Sequence, residues 1–245
     1  MVPPRPMNVL TVYLRIYADA FRQAVTGIGK NAWTLLLPIG LLEANELATG
    51  LVIGALGRIG GFVVWIVWAA AASCYLYFLG EVVAKSQVKF DEFGRSVGAY
   101  FWSVANLFFV YWIASLLIEL MAPPAQRGVF LQLLQLAVVI LLNAAPEVIY
   151  QRGSHGGLET VQRSVRFLQA NWIEWGIPNL LFLAIWWFLP RYPLASLGLL
   201  GTIITGVIEG ALLHLVMVFR GYLFAALDGT SHRQRMYRYR STGAV

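Results

Sequence analysis

Long apolar runs free of charge alternate with short polar stretches along the chain. Five are clear: Ile59–Gly80, Ser96–Ile118, Gly128–Pro146, Trp175–Pro190 and Tyr192–Ile208, the last continuing past Glu209 to Phe219. A bilayer core about 30 Å thick takes about 20 apolar residues per helix, so each run can cross it. A sixth run, from Asn31 to Ile53, is interrupted by Glu43, Asn45 and Glu46. It counts as the first span because the run that follows must return from the far side. Turn signals at Gly54 to Gly60, Ala122-Pro123-Pro124-Ala125 and Pro190-Arg191-Tyr192-Pro193 join the spans in pairs. The pattern predicts an all-α polytopic membrane protein with six transmembrane helices arranged as three hairpins.

Ahead of each hairpin the period changes to that of an amphipathic helix. In the first such segment Leu10, Tyr13, Leu14, Tyr17, Phe21, Ala24 and Ile28 form an apolar stripe opposite Thr11, Arg15, Asp19, Arg22 and Thr26. The second sets Phe90, Phe93, Val97 and Phe101 against Asp91, Glu92 and Arg95. The third sets Leu158, Val161, Val165 and Leu168 against Glu159, Gln162, Arg163 and Arg166. Helices of this kind lie in the membrane interface.

Trp33, Trp102 and Trp172 enter the following spans at intervals of about 70 residues, a period that marks a repeated structural unit. Arg95-Ser96-Val97 matches Arg163-Ser164-Val165, Glu81-Val82-Val83 matches Glu147-Val148-Ile149, and Asn31 with Pro38 matches Asn171 with Pro178. The expected organisation is one membrane domain of three parallel units, about 8–84, 85–151 and 152–223, followed by a basic cytoplasmic tail, 224–245.

Composition agrees with this picture. The chain has 245 residues, 59% hydrophobic and 12% charged, against roughly 25% charged in soluble domains, which excludes an ordinary cytosolic globule. Its 18 Lys+Arg are unevenly placed. Arg58, Arg127 and Arg191 sit in one set of loops, and all the others in the opposite set and at the two ends. Cation-rich short segments stay in the cytoplasm, so both termini are expected there. No Asn-x-Ser/Thr acceptor is present, and Met-Val-Pro-Pro-Arg-Pro begins no apolar signal segment. The expected location is a bacterial inner membrane. A single cysteine, Cys74, forms no intrachain disulfide.

The run Pro146-Glu147-Val148-Ile149-Tyr150, the Gly-rich step Gly153-Ser154-His155-Gly156-Gly157, then Ser164 and Asn171-Trp172 resembles the membrane domain attached to some bacterial glycerophosphodiester phosphodiesterases, and related uncharacterised six-helix inner-membrane proteins. The likeness covers roughly residues 15–225. It implies a fold and carries no catalytic residue, because no soluble catalytic barrel remains once the spans are assigned.

Two carboxyl groups fall near mid-bilayer. Glu43 lies roughly 20 Å of helix inside Lys30, and Glu209 roughly 16 Å inside Arg220. A charge there costs about 2.5–3.5 kcal/mol on insertion scales, so with Glu46 and Asn143 these residues define an intramembrane polar site. It is either a proton or cation-substrate site or a neutral hydrogen-bonded packing contact, and Glu46 can alternatively pair with Arg58. Gly198, Gly201, Thr202, Thr205, Gly206, Glu209 and Gly210 make a small, polar stripe for close helix packing or a cavity wall. Gln132, Gln135 and Asn143 suit interhelical amide bonds, Glu119 can pair with Arg127, and Glu174 fits a capping box begun by Asn171. Glu81 and Glu147 each precede a cation, Lys85 or Arg152, that can form a salt bridge. Alternatively Arg152, Arg163 and Arg166, with the backbone N–H groups of Gly156 and Gly157, form a site for a lipid phosphate.

No Gly-x-Ser-x-Gly elbow, Walker loop, bis-histidine haem pair or His-Glu-x-x-His zinc motif is present. The expectation is therefore a non-enzymatic scaffold or accessory subunit without a cofactor. Its partners would be membrane lipids, anionic ones among them, and another membrane protein or a second copy. Nucleic acid is not expected, because the Arg-rich tail from Arg233 to Arg240 is explained by topology and lipid attraction. The alternative is a small-molecule, lipid or proton-coupled transporter using Glu43 and Glu209.

Overall fold

The computed structural model describes residues 9–85, 88–153, 156–188, 198–231 and 233–237, with the side chains of 42–62, 199 and 202 outside that description. Every described element is helical: α1 (Val9–Lys30), a 3-10 turn (Ala32–Leu35), α2 (Leu36–Ala84), a second 3-10 turn (Phe90–Glu92), α3 (Phe93–Ala99), α4 (Phe101–Met121), α5 (Arg127–Leu141), α6 (Ala145–Arg152), α7 (Gly157–Phe188) and α8 (Leu199–Leu227). Among the described residues three stretches are long and apolar enough to cross a membrane: Val63–Ala84, Phe90–Met121 and Ile203–Leu227. A fourth is made if α5 and α6, bent by 44°, act as one span.

The breaks that follow the three amphipathic segments share one backbone geometry. Asn31 (φ −130°, ψ 43°), Tyr100 (φ −123°, ψ 11°) and Asn171 (φ −135°, ψ 26°) each interrupt the helical path. Asn side chains compete for backbone partners, which is why they favour such points. Asn31 Nδ2 donates to the Gly27 carbonyl (2.9 Å) and Asn171 Nδ2 to the Phe167 carbonyl (3.1 Å), each four residues back. Tyr100 uses its own N–H, which donates to Ser73 Oγ (2.9 Å). Asn31 Oδ1 also accepts the Val88 N–H (2.8 Å), tying the first break to the chain leading into α3.

The amphipathic segments turn a different face inward from the one their apolar pattern suggests. On α1 the buried residues are Val12, Ile16, Ala20, Ala24 and Gly27, while Leu10, Leu14 and Phe21 are exposed. At the start of α7 Thr160, Ser164, Phe167 and Asn171 are buried, and Leu158 is exposed. Val12, Ile16 and Phe167 seat these helices on the bundle together with small and polar residues, while Leu10, Leu14, Phe21 and Leu158 face outward, as on a helix in a membrane interface.

α8 packs on α1, α2, α6 and α7. The tightly packed core lies at its C-terminal end, where Trp175, Phe78, Phe224, Ile16, Leu79, Ile149 and Leu223 are essentially inaccessible. Away from that end the helices expose a continuous apolar surface, including Leu117, Leu120, Leu180, Leu183, Trp187 and Ile203. In water such a surface would be unstable; against lipid it is the expected exterior.

The turn expected at Ala122–Ala125 is present between α4 and α5. The turn at Gly54 to Gly60 is not, because α2 runs uninterrupted for 49 residues. The stretch from Gly54 to Gly60 holds glycines but no proline, and the one proline of α2, Pro38, sits in its first turn where no intrahelical donor is needed, so the helix continues through that stretch at only the glycine entropy cost. At 1.5 Å per residue α2 is about 73 Å long, more than twice a bilayer core. The third expected turn, Pro190 to Pro193, lies outside the described residues.

Candidate functional site

A buried ion pair sits where α6, α7 and α8 meet. Pro146 near the first turn of α6 directs the chain away from α5, and this places Glu147, fully buried, 3.0 Å from Arg220 Nη2 of α8. Arg220 also donates to the Asn143 carbonyl and stacks over the Trp175 ring at 5.1 Å. Trp175 Nε1 donates to Asn143 Oδ1 (2.7 Å), closing the circuit. Breaking such a pair by removing one partner typically costs about 3–5 kcal/mol, because the other charge stays buried.

Nearer the middle of α8, fully buried His214 bridges two other elements. Thr34 Oγ1 lies 2.9 Å from His214 Nε2 and gives its own proton to the Asn31 carbonyl (2.7 Å). A hydroxyl has one proton, so His214 Nε2–H is the donor to Thr34. Nδ1 is then the acceptor facing the Tyr75 hydroxyl at 3.3 Å.

The chain beyond α8 folds back onto the bundle. Ser231 and Gln234 form a reciprocal cap: the Ser231 N–H donates to Gln234 Oε1 (2.8 Å), and the Gln234 N–H to Ser231 Oγ (3.2 Å). The turn so built buries Arg235, which donates to the carbonyls of Leu227 (3.0 Å) and Thr230 (2.7 Å) and lies 3.2 Å from Glu174 Oε1. Tyr13 donates to that same carboxylate oxygen (2.7 Å) and Tyr17 to the Glu174 carbonyl (2.9 Å). Burial and the adjacent Glu174 charge push the Tyr17 hydroxyl up to about 12. Burial and the hydrogen bond to Glu174 raise Tyr13 as well.

An open groove of about 630 Å³ lies between the start of α7, the end of α6 and this returning turn. Arg152, Arg163 and Arg166 line it, with Asn171, Asp228, Thr230, Ser231 and Gln234. Arg152 is paired with Asp228. Arg163 reaches Glu159 at 2.6 Å. Arg166 is exposed and makes no ion pair among the described residues. The groove therefore offers guanidinium groups, hydroxyls and a carboxamide on one surface, a donor set suited to a phosphate or carboxylate.

The three arginines singled out in the sequence thus meet in one place. Gly156 and Gly157 do not join them. A Cβ on Gly157 would stand 2.5 Å from the Asn106 carbonyl oxygen, so that glycine allows α7 to lie against α4. The Gly156 carbonyl is taken up by Thr160. Glu147 pairs with Arg220 and leaves Arg152 to Asp228, whereas Glu81 and Lys85 pair with each other. Glu174 serves Tyr13 and Arg235 instead of a capping box. Arg127 donates to the Ala122 carbonyl, and Gln132 and Gln135 are exposed on α5.

Of the intramembrane set, Asn143 belongs to the Arg220 circuit. This is about 16 Å along α8 from Glu209, which is half-buried. A Cβ on Gly210 would meet Ile39 backbone atoms at 3.2 Å, so the small-residue stripe lets α2 and α8 approach closely. The side chains of Glu43 and Glu46 lie outside the described residues, as does residue 155. Arg220, Trp175, Asp228 and Arg235 carry contacts that no local spacing announces. The one available signal was that Glu147 and Arg220 are opposite charges at the ends of apolar runs.

Among the described residues no three His, Cys, Asp or Glu side chains converge on a metal position. Comparison with protein-family models, curated proteins and solved structures gives no match.

Proposed function

We propose that this chain is a non-enzymatic component of a bacterial inner membrane, a scaffold or accessory subunit that holds anionic lipid, and through it or beside it a partner membrane protein. The observation that carries this reading is the groove in which Arg152, Arg163 and Arg166 converge beside Thr230, Ser231 and Gln234. Each Lys or Arg near a membrane surface contributes about 1 kcal/mol to attraction for anionic lipid. The exposed Leu10, Leu14 and Phe21 of α1 and Leu158 of α7 set the neighbouring helices at that depth.

A threefold build, with units about 8–84, 85–151 and 152–223, is part of the proposal. It is supported by the matching backbone geometry at Asn31, Tyr100 and Asn171 and by the matching carboxamide bonds at the first and third. Cytoplasmic placement of both termini rests on the distribution of Lys and Arg. A count of six crossings rests on the apolar runs alone, and the unbroken path of α2 gives it no turn between the first two.

The test is lipid retention. Full-length protein extracted in mild neutral detergent is compared with Arg163→Gln/Arg166→Gln, and co-purifying lipids and proteins are identified by mass spectrometry. Anionic lipid should be enriched in the parent and depleted in the variant. Equal lipid content in both, with no co-purifying protein, rejects the proposal.

A further inference from the structure

A second basic pocket, separate from the Arg152 groove, lies between α1, the end of α2 and α8. It has a volume of about 270 Å³. Its polar lining is Arg22, Gln23, Thr26, Lys30, Lys85 and Tyr222. Arg22, Thr26 and Lys30 follow each other at four-residue steps, so they form a single stripe along α1. Lys85 faces this stripe from the residue that ends α2.

No described acidic side chain lines the pocket. Lys85 is held by Glu81 one turn earlier, but Arg22 and Lys30 make no ion pair among the described residues. Three cations thus share one concavity with three uncharged polar groups and no lining counter-charge. Like charges so placed repel one another, and an anion among them removes that cost. Gly27 forms the floor: a Cβ there would meet Tyr222 Oη at 3.1 Å and Val82 Cγ1 at 3.2 Å, and Tyr222 is fixed by donating to the Val82 carbonyl (2.9 Å). The floor is rigid while the cationic rim is open.

We infer that this pocket binds a phosphate group, as a lipid headgroup or as free phosphate. It is smaller than the roughly 300–1,000 Å³ of typical small-molecule sites, so it accommodates a compact anion and not a large organic ligand. Its position beside the exposed apolar stripe of α1, which carries Leu10, Leu14 and Phe21, places a lipid headgroup within reach. Tyr222 belongs to this pocket, whereas Phe224 and Leu227 belong to the arginine groove. The two sites therefore flank the same end of α8 and are independent of each other.

The test uses the full chain in neutral detergent in two arms: equilibrium dialysis against inorganic phosphate, and native mass spectrometry with added phosphatidylglycerol. Arg22→Gln/Lys30→Gln should weaken uptake at one site about 30-fold, the loss of two contributions of about 1 kcal/mol each. The charge-retaining Arg22→Lys/Lys30→Arg should bind as the parent does, which controls for folding. Lys89→Gln/Arg95→Gln, a charge-matched change outside the pocket, should also leave binding intact. A loss confined to the dialysis arm identifies free phosphate as the ligand, and a loss confined to the lipid arm identifies a headgroup. Unchanged binding in both arms, or an equal loss in the Lys89/Arg95 variant, overturns the inference. Arg163→Gln/Arg166→Gln reports on the other groove alone, so either site can fail without the other.

Discussion

Glu147 and Arg220, 3.0 Å apart on α6 and α8, form an ion pair whose carboxylate is wholly inaccessible. Arg220→Met leaves that carboxylate without its cation and should cost about 3–5 kcal/mol of stability. The double variant Glu147→Leu/Arg220→Met removes both charges and should recover much of the loss. Thermal unfolding of the two single variants and the double variant in one detergent measures the coupling, and simple additivity would show that the pair is not a unit.

Asn31 and Asn171 each return a carboxamide to a carbonyl one turn earlier, at 2.9 and 3.1 Å. Either Asn→Ala change should cost about 1 kcal/mol for the lost bond. Asn31→Ala should cost more, because Asn31 Oδ1 also satisfies the buried Val88 N–H. The melting-temperature order parent, Asn171→Ala, Asn31→Ala checks this, and the reverse order of the two variants contradicts it.

Neighbouring glycines should respond differently to one added methyl. At Gly157 a Cβ meets backbone, the Asn106 oxygen at 2.5 Å, while at Gly156 the nearest atom is Glu159 Cβ at 3.6 Å. Gly157→Ala should lose about 1–3 kcal/mol by forcing α4 and α7 apart. Gly156→Ala should lose little. Comparable melting temperatures for the two variants would show that α4 yields.

Tyr17 loses its proton at about 12 instead of 10.0 when folded. Above pH 10 the unfolded chain ionises this hydroxyl first, so the folded state holds more protons and stability falls as pH rises from about 10 to 12. Below that window the contribution is constant. Tyr17→Phe should flatten the decline, and tyrosinate absorbance of the folded protein should rise later than that of the denatured chain. Coincident titration curves would contradict this.

The apolar runs were legible because each is long, charge-free and bounded by polar residues. The breaks at Asn31 and Asn171 fall at positions the sequence already marked as equivalent, each followed within two residues by a Trp and seven residues on by a Pro. Two things were hidden. Periodicity shows that α1 has an apolar face but not whether lipid or protein covers it. Here Val12, Ile16, Ala20, Ala24 and Gly27 face protein, and at Gly27 the absence of a Cβ admits Tyr222 of α8. Long-range charge pairing was equally hidden: Arg152 lies five residues from Glu147 in sequence yet bonds to Asp228, because α6 turns Glu147 inward to Arg220. Arg152, Arg163 and Arg166 line one groove because they belong to adjacent elements. The packing role of Gly157 was hidden because a glycine that admits a neighbouring helix looks like any other glycine in sequence.

One carboxylate, Glu174, receives the hydroxyl of Tyr13 from the first helix and the guanidinium of Arg235 from the last described turn. Helix α1 and the turn after α8 thus share one anchoring side chain, so a change that dislodges Arg235 should also loosen the hold on Tyr13.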